Sequence, residues 1–88
     1  MFAGLFRKQG FDVQEYPILE LIEFESFWVR GMIGFDKTKK RHKIRWICKK
    51  GYELFDVPMS KGYVTAEFKN AHDLLLFLQR RLVWKKQR

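Results

Sequence analysis

The chain has 88 residues, with 18 Lys and Arg against 10 Asp and Glu, so its formal charge is +8. Hydrophobic residues make up 47% and aromatics 17%, which suits one small packed domain and not a disordered segment. A single cysteine, Cys48, excludes an internal disulfide framework, and one Cys with two His excludes the usual closed zinc sites within one chain. The longest apolar run, residues 74–78, is far short of the roughly 20 residues that cross a bilayer.

Taken in chain order, residues 1–9 place Phe2, Leu5 and Phe6 at helical spacing, in a short piece. Arg7 and Lys8 follow the apolar residues, the reverse of a secretory signal. With one cysteine, this points to a reducing, intracellular (cytoplasmic) location. Pro17 suits the first turn of a helix, and Ile18, Leu21 and Ile22 share one helical face. Residues 16–25 are therefore expected as a short helix, although alternation through Ile22, Phe24 and Ser26 also fits a strand.

Residues 27–35 alternate as a strand, with Phe27, Val29, Ile33 and Phe35 on one face and Trp28, Arg30 and Met32 on the other. Gly31 and Gly34 suggest a bulge or a close backbone approach. After a polar turn at 36–41, residues 42–48 alternate again, with Ile44, Trp46 and Cys48 opposite Lys43, Arg45 and Ile47. The two runs predict a β-hairpin. Residues 52–57 are expected as a third strand ended by Pro58. Residues 63–68 are expected as a fourth, with Val64, Ala66 and Phe68 facing in. Asn70 reads as the N-cap of a helix over 71–84, with Asp73 at its positive end. The last turns of that helix are rich in Lys and Arg, and residues 74–78 are apolar on nearly every face, which suits burial on more than one side. The expected fold is one α+β domain over 1–88: a small antiparallel sheet of three to four strands packed on the C-terminal helix, a helical N-terminal segment, and a basic tail over 80–88.

Charge is unevenly placed. Residues 9–29 carry Asp12, Glu15, Glu20, Glu23 and Glu25 and no Lys or Arg. From Lys37 to Lys50 there are eight cations and no acid: Lys37, Lys39, Lys40, Arg41, Lys43, Arg45, Lys49 and Lys50. A second basic block holds Arg80, Arg81, Lys85, Lys86 and Arg88. Such asymmetry says more than the net value. Cations spaced along a ribbon match phosphates, each of which releases counterions when neutralised, and a two-stranded ribbon fits the major groove of DNA. An exposed Trp can stack on an unpaired base. The expected function is thus non-enzymatic binding of DNA or RNA. Lys37, Lys39, Lys40, Arg41, Lys43 and Arg45, with Lys49 and Lys50, would meet phosphates, Trp28 and Arg30 would meet bases, and Arg80, Arg81, Lys85 and Lys86 would assist from the tail. A solvated, lysine-rich hairpin tip that only prevents edge pairing is the bland reading of the same residues.

Two other readings stand beside it. An acidic segment followed by a basic ribbon suits an interaction or inhibitor module, of the kind mobile elements encode, that binds a host protein through an acidic surface. A second copy of the chain is a further candidate partner. Separately, Asp56 followed by Glu67-Phe68-Lys69 resembles the metal site of the PD-(D/E)xK nucleases. That resemblance implies carboxylates holding Mg²⁺ and a lysine positioning water. Val57 and Pro58 follow the acid here, where the family tends to place proline before it, and the chain is short for that fold. The leading reading needs no cofactor, resident metal or membrane partner.

Overall fold

The computed structural model describes residues 2–49, 52–55, 62–82 and 84–86. Helix α1 (Phe2–Lys8) leads into strand β1 (Asp12–Tyr16), a 3₁₀ turn (Pro17–Leu19) and β2 (Leu21–Glu25). Then follow β3 (Val29–Asp36), β4 (Arg41–Cys48), β5 (Tyr52–Leu54), β6 (Val64–Phe68), helix α2 (Ala71–Arg81) and β7 (Trp84–Lys86). The main sheet is antiparallel and has five strands in the order β1-β2-β3-β4-β6, while β5 and β7 pair as a separate ribbon. The fold is α+β, with one strand more than the upper expectation.

β2 comes from the segment expected to be helical, and β1 from residues just ahead of it that carry no expected element. Pro17 does start a helical turn, but it lasts three residues and ends where Glu20 enters the left-handed region (φ 52°) and donates its N–H to the Pro17 carbonyl at 3.1 Å. From Leu21 the alternating pattern wins, because β2 can pair on both edges, with β1 and with β3. Phe24 then points inward and is fully buried. Ile18, expected to share a helical face with Leu21 and Ile22, instead sits in the turn, 95% exposed.

The predicted hairpin forms as β3 and β4, in continuous register from Val29↔Cys48 to Asp36↔Arg41. No bulge interrupts it; Gly31 serves the close approach. A Cβ there would meet the Arg45 carbonyl oxygen and lie 2.5 Å from Phe24 Cζ. Val29, Ile33, Ile44 and Trp46 face inward and are buried as expected. Phe27 does not join them: it precedes β3 and is 69% exposed.

Expectation and structure also agree on β6, where Val64, Ala66 and Phe68 are the less exposed positions. Asn70 caps α2, its Oδ1 accepting from the Asp73 N–H at 2.8 Å. That helix stops at Arg81, and residues 84–86, expected as its end and a loose tail, form β7 against β5. β5 covers 52–54 of the strand expected over 52–57; Phe55 leaves it in the left-handed region (φ 59°), and residues 56–57 lie outside those described. Within α2, Leu74 and Leu78 are fully buried and Leu75, Leu76 and Phe77 partly so.

Both helices contribute to one core on the inner face of the sheet. Phe6 of α1 is fully buried, stacked on Phe24 at 4.1 Å and meeting Phe11 edge-on at 5.4 Å. Trp46 meets Phe55 at 4.8 Å, and Phe55 meets Phe77 of α2 at 4.8 Å. Burial of these side chains away from water is what holds the layers together. The opposite, outward face of the sheet carries most of the strands' charged residues, with Glu15 and His42 as inward-row exceptions.

Candidate nucleic-acid interface

Because paired residues in register share a face, the outward surface can be read in rows. Asp12, Glu25, Arg30 and Ile47 form one row, and Gln14, Glu23, Met32, Arg45 and Thr65 the next. A third holds Tyr16, Leu21, Gly34, Lys43 and Glu67, and Asp36 with Arg41 closes the hairpin. Of the acidic segment, Asp12, Glu23 and Glu25 thus lie on the β1–β2 side of this face, while Glu15 shares the inward row of Ile22 and pairs with Arg7 at 3.2 Å; the cations line β4. The neighbouring Glu23 carboxylate, as hydrogen-bond acceptor and negative charge, holds the Tyr16 phenol above its ordinary pKa.

The hairpin tip is a rigid turn. Asp36 Oδ1 accepts from the Thr38 N–H at 2.9 Å and the Lys39 N–H at 3.1 Å, and Lys40 takes a left-handed conformation (φ 54°) that returns the chain to β4. The Lys39 amide, then the Lys43 ammonium, hold the Asp36 carboxyl below its usual range. This Asp-initiated turn fixes where Lys37, Lys39, Lys40 and Arg41 project.

The predicted phosphate-binding residues have different surroundings. Lys43 Nζ lies 3.2 Å from Asp36 Oδ2 and 3.6 Å from Glu67 Oε1, so two carboxylates already match its charge. Lys37 Nζ reaches Glu20 Oε2 only at 4.0 Å and stays largely exposed. Among the described residues, no carboxylate lies within ion-pair distance of Lys39, Lys40, Arg41 or Arg45. The Arg45 guanidinium sits over the Tyr63 ring at 5.0 Å, an arrangement that holds the side chain without neutralising it.

Trp28 and Lys49 lie at the other end of the hairpin from the tip, about 24 Å away along eight-residue strands. Trp28 is half-buried and stacks on Tyr52 at 3.9 Å, with Phe27 edge-on at 4.4 Å. Lys49 Nζ rests over the Phe27 ring at 3.9 Å. Arg30 faces outward opposite Glu25. Arg80 and Arg81 end α2, which packs on the inner face, so they do not join Arg45. Lys85 and Lys86 lie on β7, and Lys50 lies outside the described residues.

Of the nuclease-like set, Glu67 contacts Lys43 and Lys69 is an exposed residue after β6, while Asp56 lies outside the described residues. Among the described residues, no group of three His, Cys, Asp or Glu is placed to hold a metal ion, and no helix is long and apolar enough to cross a membrane.

Sequence reasoning missed two features. One is the exposed Phe27; strand alternation put it inside, and its neighbour Ser26 was the available hint of a bend. The other is the apolar turn at Ile18 and Leu19, on the same end of the sheet as the cationic tip. Comparison with protein-family models, with curated proteins and with solved structures finds no match.

Proposed function

We propose that this protein is a non-enzymatic nucleic-acid-binding domain that grips the phosphate backbone with the tip of the β3–β4 hairpin and the outward side of β4. The observation that carries the reading is the set Lys39, Lys40, Arg41 and Arg45, cations on a rigid ribbon with no carboxylate partner among the described residues. Alternate residues of β4 recur every ~6.7 Å, so Arg41 and Arg45 form a spaced column. Lys43, between them, is excluded from the count because Asp36 and Glu67 already neutralise it. We place this activity inside the cell.

Counting Lys37 with those four gives about five available cations, so the log–log dependence of duplex affinity on salt should have a slope of about −4.5. The triple substitution Lys39→Ala, Lys40→Ala, Arg41→Ala should reduce it to about −2. A slope unchanged by the triple substitution would exclude the tip as the contact.

One observation favours a second reading, a protein-binding module. Ile18 and Leu19 project from the β1–β2 turn beside the cationic tip, and large exposed aliphatic residues in one cluster mark association surfaces. A stoichiometric protein complex that survives nuclease treatment and is lost in Ile18→Ser, with no affinity for bare oligonucleotides, would replace the first reading by this one.

A further inference from the structure

At the end of the sheet remote from the tip, the bend between β2 and β3 and the residue after β4 enclose a cavity of about 390 Å³. Its lining includes Glu25, Ser26, Phe27, Trp28, Arg30 and Lys49. This is a volume within the usual range for small-ligand sites. The frame is fixed by backbone and side-chain bonds. The Ser26 N–H donates to the Val29 carbonyl at 2.7 Å, the Lys49 N–H to the Trp28 carbonyl at 2.8 Å, and the Trp28 N–H to Ser26 Oγ at 3.3 Å. Stacking on Tyr52 further holds the Trp28 ring in place.

Three chemistries meet on this wall. Phe27 offers an aromatic ring that is 69% exposed, with Lys49 Nζ over one face at 3.9 Å, so a base would stack on the opposite face. Arg30 and Lys49 offer positive charge. Glu25 offers a carboxylate acceptor and Ser26 a hydroxyl. Together these are the elements of nucleotide recognition: a stacking surface, cations for phosphate, and an acceptor for an exocyclic amino group. A paired base in a duplex could reach the ring only by flipping out of its stack, which costs energy that an unpaired base does not lose.

We propose that this cavity holds an unpaired nucleobase on Phe27, with its phosphate toward Arg30 and Lys49, so that the nucleic acid bound is single-stranded. The inference rests on the nucleic-acid reading above and adds the class of strand. A single strand crossing the outward face would run from the tip past Arg45 to Arg30, and its terminal base would enter the cavity. Glu25 favours bases with an amino donor, so cytosine is the preferred probe over thymine.

The test is a fluorescence anisotropy titration of a labelled strand of about twelve cytidines, and of a duplex of equal length, at about 50 mM salt. The wild-type chain should bind the single strand more tightly. Phe27→Ala should weaken single-strand binding roughly 5- to 150-fold, the range one stacked base supplies, and leave duplex binding within about twofold. Phe27 is exposed, so its loss should not perturb folding. Equal weakening on both probes, or none on the single strand, overturns the cavity proposal. If the tip triple variant still loses affinity in that case, the nucleic-acid reading survives alone. No wild-type binding to either probe removes both. Cytidine monophosphate serves as the last arm: tight binding of it, with no affinity for the strand, would assign the cavity to a free nucleotide and overturn the single-strand assignment.

Discussion

Replacing Gly31 by Ala places a methyl group at the tightest point of the sheet. Gly31 lies on the inner side of β3, opposite Phe24 on one neighbouring strand and Trp46 on the other. The new Cβ would run into the Arg45 carbonyl oxygen and sit 2.5 Å from Phe24 Cζ and 3.0 Å from Cε1. Neither neighbour can yield cheaply. The carbonyl belongs to a central strand paired on both sides, and Phe24 is fully buried between Phe6 at 4.1 Å and Phe11 at 5.8 Å. Overpacking of this kind costs typically about 1–3 kcal/mol. Removing a glycine offsets about 0.4–1 kcal/mol of that through the unfolded chain. With two rigid clashes the net loss should be about 2 kcal/mol. In a domain of this size that lowers Tm by roughly 8–16 °C. Thermal unfolding followed by circular dichroism measures it, and Gly34→Ala is the control. There the Cβ would be 3.5 Å from Leu21 Cδ1, an ordinary contact, so Tm should stay within about 3 °C of wild type. If Gly31→Ala melts with Gly34→Ala, the close strand packing argued here is wrong.

Asn70→Ala removes the bond to the Asp73 N–H and should cost about 1 kcal/mol, a Tm fall of about 4–8 °C. Asn70→Asp should retain most of that stability. The Asp36 carboxyl is held below its ordinary value of 3.8 by the Lys39 amide and Lys43. Its contribution to the turn is therefore complete above that value and lost as pH falls through the lower, folded-state pKa. Amide shifts of Thr38 and Lys39, followed by NMR from neutral to acid pH, should titrate with a midpoint below 3.8; a midpoint at or above it would refute the assignment.

What the sequence revealed was local. The hairpin was legible because strict alternation on both sides of a polar turn has one economical solution, and Asn70 with Asp73 marks a helix start within four residues. What it hid was tertiary. Pro17 and the spacing of Ile18, Leu21 and Ile22 satisfy a helix pattern equally well, and only pairing with β1 and β3 decides for a strand. Lys43 looked identical to Lys39 in a run of cations, yet Glu67, which shares its charge, arrives from β6. Trp28 alternates like an outward residue, but its stacking partner Tyr52 comes from a strand outside the main sheet. Phe27 followed the alternation on paper and left it in space, because the bend at Ser26 sets the start of β3 two residues later.

The charge asymmetry along the chain becomes a lateral gradient across one face. β2 and β4 are separated by β3, about 10 Å apart, slightly beyond the screening length of about 8 Å at physiological salt. Glu23 and Glu25 therefore weaken the field of Arg45 only modestly. The acidic strands still repel a polyanion from their side of the face, so the proposed nucleic-acid partner would be guided to the β4 side before contact. The two segments meet directly at the turns, where Glu20 faces Lys37 at 4.0 Å. That contact is long and solvated, a class of pair worth little, so it leaves the tip positive. Under the proposed nucleic-acid reading, an acidic segment preceding a basic one in sequence would serve orientation: it would restrict which side of the sheet a nucleic acid occupies, and the rigid turn at Asp36 would set where the grip begins.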